Sequence, residues 1–215
     1  MTPKAVLFDC DGVVVDSEGM AFDLLAEQLA LYGHPMPHAR MRALFLGGTM
    51  RSFWASARGE GIPLPDDWVE AQYARMFARL ADGTPLIPGI LDVLDALDVA
   101  GIPYAMGSNG PLRKMEITMG QHPGLRDRFG GHIYSAQTLG APKPAPDVYL
   151  HAAAALGVAA PDCVVVEDSV SGLKAALAAG MRCYGFACED DGTALAAQGA
   201  VVFHAMSDLP GLLGL

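Results

Sequence analysis

The segment FDCDGVVVDS, residues 8–17, places two aspartates two positions apart at the end of a short apolar run. Residues 5–8 predict a buried strand, and strand side chains repeat with a period of two. Asp9 and Asp11 therefore project to the same side if the backbone stays extended beyond the strand. Two carboxylates that close repel each other unless a divalent cation neutralises them or one of them keeps its proton. The pair predicts a metal site, an acid–base site, or both.

Composition limits the class of protein. The chain has 215 residues, of which 52% are hydrophobic and 18% charged, and this predicts one substantial core with an insertion or a small second domain. The net charge of -10 disfavours nucleic acid as a partner. No uncharged run of about 18 residues would span a bilayer, so we expect no membrane partner. The four cysteines form neither a CxxC pair nor a dense framework, and we expect reduced thiols and a cytoplasmic protein.

A helical pattern dominates residues 18–82. Apolar residues recur at three- and four-residue spacing from Phe22 to Tyr32, as they do in an amphipathic helix. Proline and glycine then divide the stretch into about four helices. We expect a small helical bundle inserted as a domain over residues 18–82, with residues 1–17 and 83–215 forming the core domain.

Strands and helices alternate in the rest of the chain. Apolar runs predict strands at residues 102–107, 132–135, 163–166, 182–186 and 200–203. Helical patterns lie between them, including residues 90–100, 112–121, 147–156 and 169–179. This alternation predicts an α/β fold, a doubly wound parallel sheet with helices on both faces. Such sheets bind ligands at the carboxyl ends of their strands.

Polar residues follow several of these strands. Glu167 and Asp168 end the apolar run at residues 163–166, and with the first aspartate pair they offer up to four oxygen-bearing side chains to a hard cation, for which we expect Mg²⁺. Ser108 and Asn109 follow another strand, where a hydroxyl and helix N-terminal N–H groups suit an anionic oxygen. Lys143, between two prolines, lies in a stiffened loop and is expected to balance the carboxylates and grip phosphate.

Each of these features also has a structural interpretation. Acidic residues after a strand often only form a turn or stabilise the next helix, Ser108 and Asn109 could cap a helix, and a lone lysine is usually solvated. Their coincidence at strand ends, in this order, favours the functional interpretation of the whole set.

Four segments carry a family resemblance: FDCDGVVVDS, SNG, KPAPDVY and VVEDSVSGLKAALAAGM. They closely resemble the four sequence motifs of the haloacid dehalogenase superfamily. The chain is most similar to its phosphatase and phosphomutase branch, in which a helical cap is inserted just after the first motif, as residues 18–82 would be. The stretch SNGPLRKMEITMG further resembles a subgroup of sugar-phosphate phosphatases that includes 6-phosphogluconate phosphatase.

The resemblance implies a role for each motif residue. Asp9 would attack phosphorus and form an aspartyl-phosphate, and Asp11 would act as general acid and then general base. Ser108 and Asn109 would bind the transferring phosphoryl group, and Lys143 would pair with phosphate and Asp9. The implied Mg²⁺ ligands are Asp9, the backbone carbonyl of Asp11, Asp168, and Glu167 beside it.

The cap is expected to close over the site and to determine specificity. Gly48 and Thr49 lie in a turn that leads into a helix, and we interpret them as substrate contacts. Arg51, also assigned to substrate binding, is the first of four basic candidates for a substrate carboxylate or second phosphate: Arg51, Arg75, Arg79 and Lys114. The expected partner is a small phosphorylated metabolite, a sugar phosphate or acidic sugar phosphate, bound by a monomer, with a dimer as the alternative.

Three other functions remain open. A haloalkanoate dehalogenase of this superfamily usually lacks the second aspartate, so Asp11 argues against it. A β-phosphoglucomutase-like mutase carries a histidine after the first motif and a cap arginine for a second phosphate; the corresponding positions here are Ala21 and Met50, one residue before Arg51. A non-catalytic sugar-phosphate-binding protein would need neither the nucleophile nor the acid. A Mg²⁺-dependent phosphatase fits best.

Overall fold

The computed structural model describes residues 2–45, 47–188 and 190–215. Its centre is a parallel sheet of six strands in the order β3-β2-β1-β4-β5-β6. The strands are β1 (Ala5–Phe8), β2 (Tyr104–Ser108), β3 (Ile133–Ser135), β4 (Cys163–Glu167), β5 (Arg182–Phe186) and β6 (Val201–Phe203). All five neighbouring pairs run parallel, so the predicted parallel sheet is confirmed.

The described residues between 18 and 82 contain four helices, as predicted, and the helices predicted at residues 90–100, 112–121, 147–156 and 169–179 are present with ends shifted by at most a few residues. The sequence pattern does not single out three short helices, over residues 125–128, 193–196 and 209–213. They are α1 (Glu18–Leu31), α2 (His38–Phe45), α3 (Met50–Gly59), α4 (Trp68–Ala81), α5 (Ile90–Ala100), α6 (Leu112–Gly120), α7 (Leu125–Arg128), α8 (Asp147–Ala155), α9 (Val170–Ala178), α10 (Thr193–Ala196) and α11 (Leu209–Leu213). Helix α5 begins and ends at glycines with left-handed backbone, Gly89 (φ 88°) and Gly101 (φ 67°), a conformation that glycine adopts without steric cost.

Each face of the sheet packs against its own hydrophobic cluster. Val6 and Phe8 of β1 belong to one cluster, together with Leu94 of α5. Ala5 and Leu7 belong to the other, with helices α8 and α9. The alternation follows from the period of two in a strand, and β1 is fully buried because helices cover both faces. The doubly wound architecture is confirmed.

Helices α1–α4 enclose a third hydrophobic cluster, in which Leu25, Phe53, Trp68 and Leu80 are buried. The rings of Phe53 and Trp68 stack with their centroids 5.8 Å apart. The chain leaves the sheet after β1, forms these four helices, and returns to it through α5 and β2. The assignment of residues 18–82 to a separate cap domain stays a prediction.

No helix in the described part of the chain combines the length and the apolar character needed to cross a membrane. No disulfide joins the cysteines in the described residues: Cys10, Cys163 and Cys183 are buried, and Cys188 is exposed.

Helix α5 has a buried face and an exposed face, and this difference predicts how its stability responds to mutation. Leu94 is fully buried, whereas Leu91, one turn earlier, is 44% exposed. Leu94→Ala should lower the free energy of unfolding by about 2–5 kcal/mol, since it leaves a cavity against the sheet. Leu91→Ala, the matched control, should change it by less than about 1 kcal/mol. Urea denaturation followed by circular dichroism measures both, and equal losses would contradict the assigned burial.

Candidate active site

The candidate site lies where β1, β2 and β4 end. Because β1 pairs with β2 on one side and β4 on the other, the residues that follow these three strands converge. This is the position at which the order of strands in the sheet reverses, where α/β sheets bind ligands. A pocket with about 730 Å³ of empty space opens there. Its lining residues are Asp9, Asp11, Glu18, Ala21, Phe22, Gly47, Gly48, Thr49, Met50, Tyr73, Met76, Ser108, Asn109, Gly110, Pro111, Lys114, Lys143, Asp168 and Ser169.

A buried lysine holds the first aspartate. The Nζ atom of Lys143 lies 2.5 Å from Oδ1 of Asp9 and 2.6 Å from Oε1 of Glu167, and only 2% of the lysine side chain is exposed. Burial by itself lowers the pKa of Lys143, but the two carboxylates outweigh it and raise the pKa above its usual value. The lysine is therefore a fixed positive charge beside Asp9.

Glu167 anchors that lysine. Besides Lys143, its carboxylate accepts hydrogen bonds from the Tyr149 hydroxyl at 2.7 Å and the Ser169 hydroxyl at 2.9 Å. The backbone N–H groups of Asp168 and Ser169 also donate to it, each at 3.2 Å. Five donors thus contact one fully buried carboxylate, whose two oxygens offer about four lone pairs. Glu167 therefore positions Lys143, and its oxygens are less available than those of the other carboxylates to bind a metal ion.

Asp168 lies against the turn that carries the first aspartate pair. Gly12 has a φ of 76°, and a Cβ atom there would lie 2.2 Å from Oδ2 of Asp168, so both backbone conformation and space require glycine. Burial raises the pKa of Asp168, and the carboxylates of Glu18, Glu167 and Asp9 raise it further. Burial also raises the pKa of Asp9, to about 7, although Lys143 opposes the shift.

These carboxylates fit a hard divalent cation. Asp9, Glu167 and Asp168 each present an oxygen, and the three oxygens lie within 4.8 Å of one another. Lys143 balances one of the three negative charges. Burial, and after it the neighbouring carboxylates, raises the pKa values of Asp9 and Asp168. An all-oxygen donor set of this charge suits Mg²⁺ or a similar ion. Asp9 and Asp168 are the better ligands, because Glu167 is already satisfied.

Asp11 has a different environment from Asp9. Its Oδ1 accepts a hydrogen bond from the Ser17 hydroxyl at 2.5 Å and lies 2.7 Å from Nζ of Lys114. Burial raises the pKa of Asp11, but Lys114 and Ser17 more than offset this, so the pKa lies below its usual value. The two aspartates of one short segment therefore have pKa values shifted in opposite directions.

The loop after β2 is held by its own side chains. The Ser108 hydroxyl accepts a hydrogen bond from the Gly110 N–H at 2.9 Å. The Asn109 amide donates to the backbone oxygens of Gly47 at 2.9 Å and Lys143 at 3.3 Å, and its oxygen accepts from the Lys143 N–H at 2.8 Å. Asn109 thus fixes the position of the lysine loop, a role that the sequence prediction of phosphate binding did not include.

The helical segment contacts the core at the rim of the pocket. Gly47, whose oxygen is bound by Asn109, packs so closely on Ser169 that a Cβ atom there would lie 2.5 Å from the serine oxygen. Gln137 donates to the Tyr73 hydroxyl at 2.9 Å and to the Asn109 oxygen at 2.7 Å. One wall of the pocket therefore comes from α1, α3 and α4, tied to the core through these polar contacts.

The predicted substrate contacts divide into two groups. Gly48 and Thr49 line the pocket, and Thr49 caps α3 by accepting from the Ser52 N–H at 3.1 Å. Arg51, by contrast, is exposed and is not among the lining residues. The first turn of α3 instead directs Met50 inward, 4% exposed, and substrate binding by Arg51 stays a prediction. Neither of the other cap arginines lines the pocket: Arg75 is exposed, and Arg79 pairs with Glu27 at 2.9 Å.

Sequence reasoning missed several partners of the predicted residues. Ser17 and Tyr149 stand inside the quoted motifs, but nothing in the sequence indicates that they bond to Asp11 and Glu167. Lys114 was considered only as a substrate ligand, yet it pairs with Asp11. Tyr73 and Gln137 carry no sequence signal at all, since their contact joins residues 64 positions apart.

Known proteins resemble this chain in both sequence and architecture. A family model described as haloacid dehalogenase-like hydrolase matches residues 3–180. The Escherichia coli protein named 6-phosphogluconate phosphatase is 29% identical over 211 residues, 97% of this chain and 94% of that protein. Hexitol phosphatase B of the same organism is 32% identical over 187 residues, 84% of this chain and 83% of its own.

A solved structure supports the same relationship. The crystal structure of a HAD family hydrolase from Deinococcus radiodurans with bound phosphate and sodium superposes with a TM-score of 0.80. It is 33% identical, and the match covers 99% of this chain and 96% of that one.

The position of the Glu167 carboxylate predicts which glycine in a helix tolerates no side chain. A Cβ atom at Gly172 would lie 1.7 Å from Oε1 of Glu167, whereas one at Gly120 would meet nothing within 4 Å. Gly172→Ala should therefore lower the free energy of unfolding by about 1–3 kcal/mol through overpacking. Gly120→Ala, the helical control, should leave it unchanged or raise it slightly. Chemical denaturation compares the two, and a tolerated Gly172→Ala would contradict the described position of Glu167.

Proposed function

This chain belongs to the haloacid dehalogenase-like hydrolases, and from that premise we propose that it is a Mg²⁺-dependent phosphatase of small sugar phosphates. The observation that carries the proposal is the position of Asp9. It is a buried carboxylate on the pocket wall, paired with Lys143 and next to Asp168. An anionic nucleophile can approach an anionic phosphate only where positive charge is supplied to both, and this site offers a lysine and a set of metal ligands.

In the first half of the reaction, an Asp9 oxygen attacks phosphorus. The new bond forms as the bond from phosphorus to the ester oxygen of the substrate breaks, and the product on the enzyme is an aspartyl-phosphate. Asp11 gives its proton to the departing oxygen, which leaves as an alcohol. The incoming phosphate favours the protonated form of Asp11, since a neighbouring negative charge raises the pKa of a carboxyl group.

In the second half, Asp11 acts as a base. Its carboxylate takes a proton from a water molecule as the water oxygen attacks phosphorus, and the bond to Asp9 breaks. Inorganic phosphate leaves, Asp9 is again a carboxylate and Asp11 is again protonated. Lys114 and Ser17 hold Asp11 on the pocket wall throughout.

Mg²⁺ would be held by Asp9, Asp168 and the backbone carbonyl of Asp11, with Glu167 behind them. When bound, the ion supplies positive charge to the phosphoryl group and to the nucleophile. Lys143 supplies a second positive charge, and Ser108 and Asn109, which line the pocket, would bind the phosphoryl oxygens. Each of these residue roles is part of the proposal.

The leaving group would be a small polyol or sugar, neutral or acidic. In the proposed cap, residues 18–82, Phe22, Met50, Tyr73 and Met76 line the pocket opposite the carboxylates. Such an apolar wall suits the C–H faces of a compact sugar. The related 6-phosphogluconate phosphatase and hexitol phosphatase are named for substrates of this size.

A phosphomutase is the alternative, and two lining residues argue against it. The positions where such mutases carry a histidine and a phosphate-binding arginine are Ala21 and Met50, and both face the pocket. Neither side chain can move a proton or bind a second phosphate. Hydrolysis needs only water at the same place. A non-catalytic binder, the other alternative, would need neither a nucleophile nor an acid–base residue, whereas Asp9 and Asp11 both line the pocket.

Replacing the nucleophile tests the mechanism. Asp9→Asn should lower kcat for any phosphate ester by at least about 1,000-fold, since the amide cannot attack phosphorus. The control is Asp92→Asn, an exposed aspartate on α5, which should keep the parent rate. Acid-quenched protein analysed by mass spectrometry should gain one phosphoryl group in the parent and none in Asp9→Asn. A variant at position 9 that still turns over at the parent rate rules the mechanism out.

Metal removal tests the cofactor and the class of protein together. Chelation with EDTA should abolish release of inorganic phosphate from p-nitrophenyl phosphate, and added Mg²⁺ should restore it. A panel of phosphorylated metabolites, compared by kcat/KM, should favour hexitol phosphates and acidic sugar phosphates over nucleotides and phosphopeptides. No metal-dependent turnover on any member of the panel would instead favour the binding protein, and conversion to an isomeric phosphate would favour the mutase.

A further inference from the structure

Lys114 occupies a distinctive place in the pocket. It lies in the first turn of α6, its side chain is 10% exposed, and its Nζ is 2.7 Å from Oδ1 of Asp11. Among the described lining residues, Lys143 is the other cation. The two differ in their partners: Lys143 is held between two carboxylates, whereas Lys114 makes a single ion pair in the described part of the chain.

The chemistry of the ammonium group leaves Lys114 with donors to spare. An ammonium carries three N–H donors, and the contact with Asp11 uses one. Asp11 itself accepts from both Lys114 and Ser17 at one oxygen, Oδ1, so its other oxygen is free to meet the substrate. Lys114 thus lies next to Asp11, the residue proposed to protonate the leaving group.

We propose that Lys114 is a specificity-determining residue that donates a hydrogen bond to an oxygen on the carbon next to the phosphorylated carbon of the substrate. This deepens the proposed function and rests on it. A leaving oxygen in contact with Asp11 brings its neighbouring carbon toward Lys114. A hydroxyl or carboxylate on that carbon accepts a hydrogen bond from an unused N–H group of Lys114. A CH₂ group in the same place leaves that N–H group without water and without an acceptor, which costs binding free energy.

The alternative is that Lys114 has a purely structural role and only holds Asp11 in place. A variant at Ser17 distinguishes that role from a contact with the substrate. Ser17 also bonds Oδ1 of Asp11, but it is fully buried and does not line the pocket. Ser17→Ala therefore perturbs Asp11 without removing a substrate contact. Lys114→Met perturbs Asp11 and removes the contact as well, while keeping a side chain of similar length.

The experiment compares two substrates with equally poor leaving groups, a hexitol phosphate and n-hexyl phosphate, in the Mg²⁺-loaded enzyme. The quantity measured is the ratio of their kcat/KM values. Lys114→Met should lower this ratio by about 10- to 100-fold, the effect of losing a hydrogen bond to a charged group. Ser17→Ala should lower both kcat/KM values equally and leave the ratio at the parent value. An unchanged ratio in Lys114→Met would overturn the proposal and leave Lys114 as a positioning residue for Asp11.

A second measurement needs no variant and covers the case in which Lys114→Met fails to fold. In the parent enzyme, a hexitol phosphate lacking the hydroxyl next to the phosphorylated carbon should lose about 10-fold or more in kcat/KM. Removing the most distant hydroxyl should cost much less. Equal losses at the two positions would contradict the role of Lys114. If the parent hydrolyses no phosphate ester, the proposed function itself fails, and that outcome is distinct from an unchanged ratio.

Discussion

The structure around the site depends on one buried lysine and its two carboxylate partners. Lys143, with 2% of its side chain exposed, lies between Asp9 and Glu167. Removing charges from water is expensive and is tolerated only when each finds partners. Tyr149, Ser169 and two backbone N–H groups satisfy the rest of Glu167. The close approach of α9 at Gly172, where no Cβ fits, follows from the space that this carboxylate needs.

The two aspartates of the first segment show how environment divides chemistry between identical side chains. Asp9 is buried among carboxylates, and its pKa rises to about 7 in spite of Lys143. Asp11 is equally close to the sheet, but Lys114 and Ser17 together lower its pKa. The opposing lysines, Lys143 beside Asp9 and Lys114 beside Asp11, are both distant from this segment in sequence. Asn109 ties the pocket wall to the loops after β2 and β3, since its amide donates to the backbone oxygens of both Gly47 and Lys143.

Predictions from local pattern succeeded wherever a pattern reports on the backbone. The run at residues 5–8 predicted β1 at its observed bounds, and the periodicity of residues 90–100 did the same for α5. Local pattern does not distinguish Arg51 from Met50, because a shift of one residue on a helix turns a side chain by about 100°. Met50 faces the pocket and Arg51 faces solvent. Residue type alone does not carry that distinction.

The sequence by itself determined the family and the order of the main strands and helices along the chain. It also determined a set of candidate site residues that line one pocket: Asp9, Asp11, Ser108, Lys143 and Asp168. These are properties of short segments, in which spacing and residue type are sufficient. Only the tertiary structure decided which partner each residue has: Lys143 with Glu167, Lys114 with Asp11, Tyr73 with Gln137. Such pairs form because parallel strands bring distant segments to one edge of a sheet, and no local pattern records which side chains meet there.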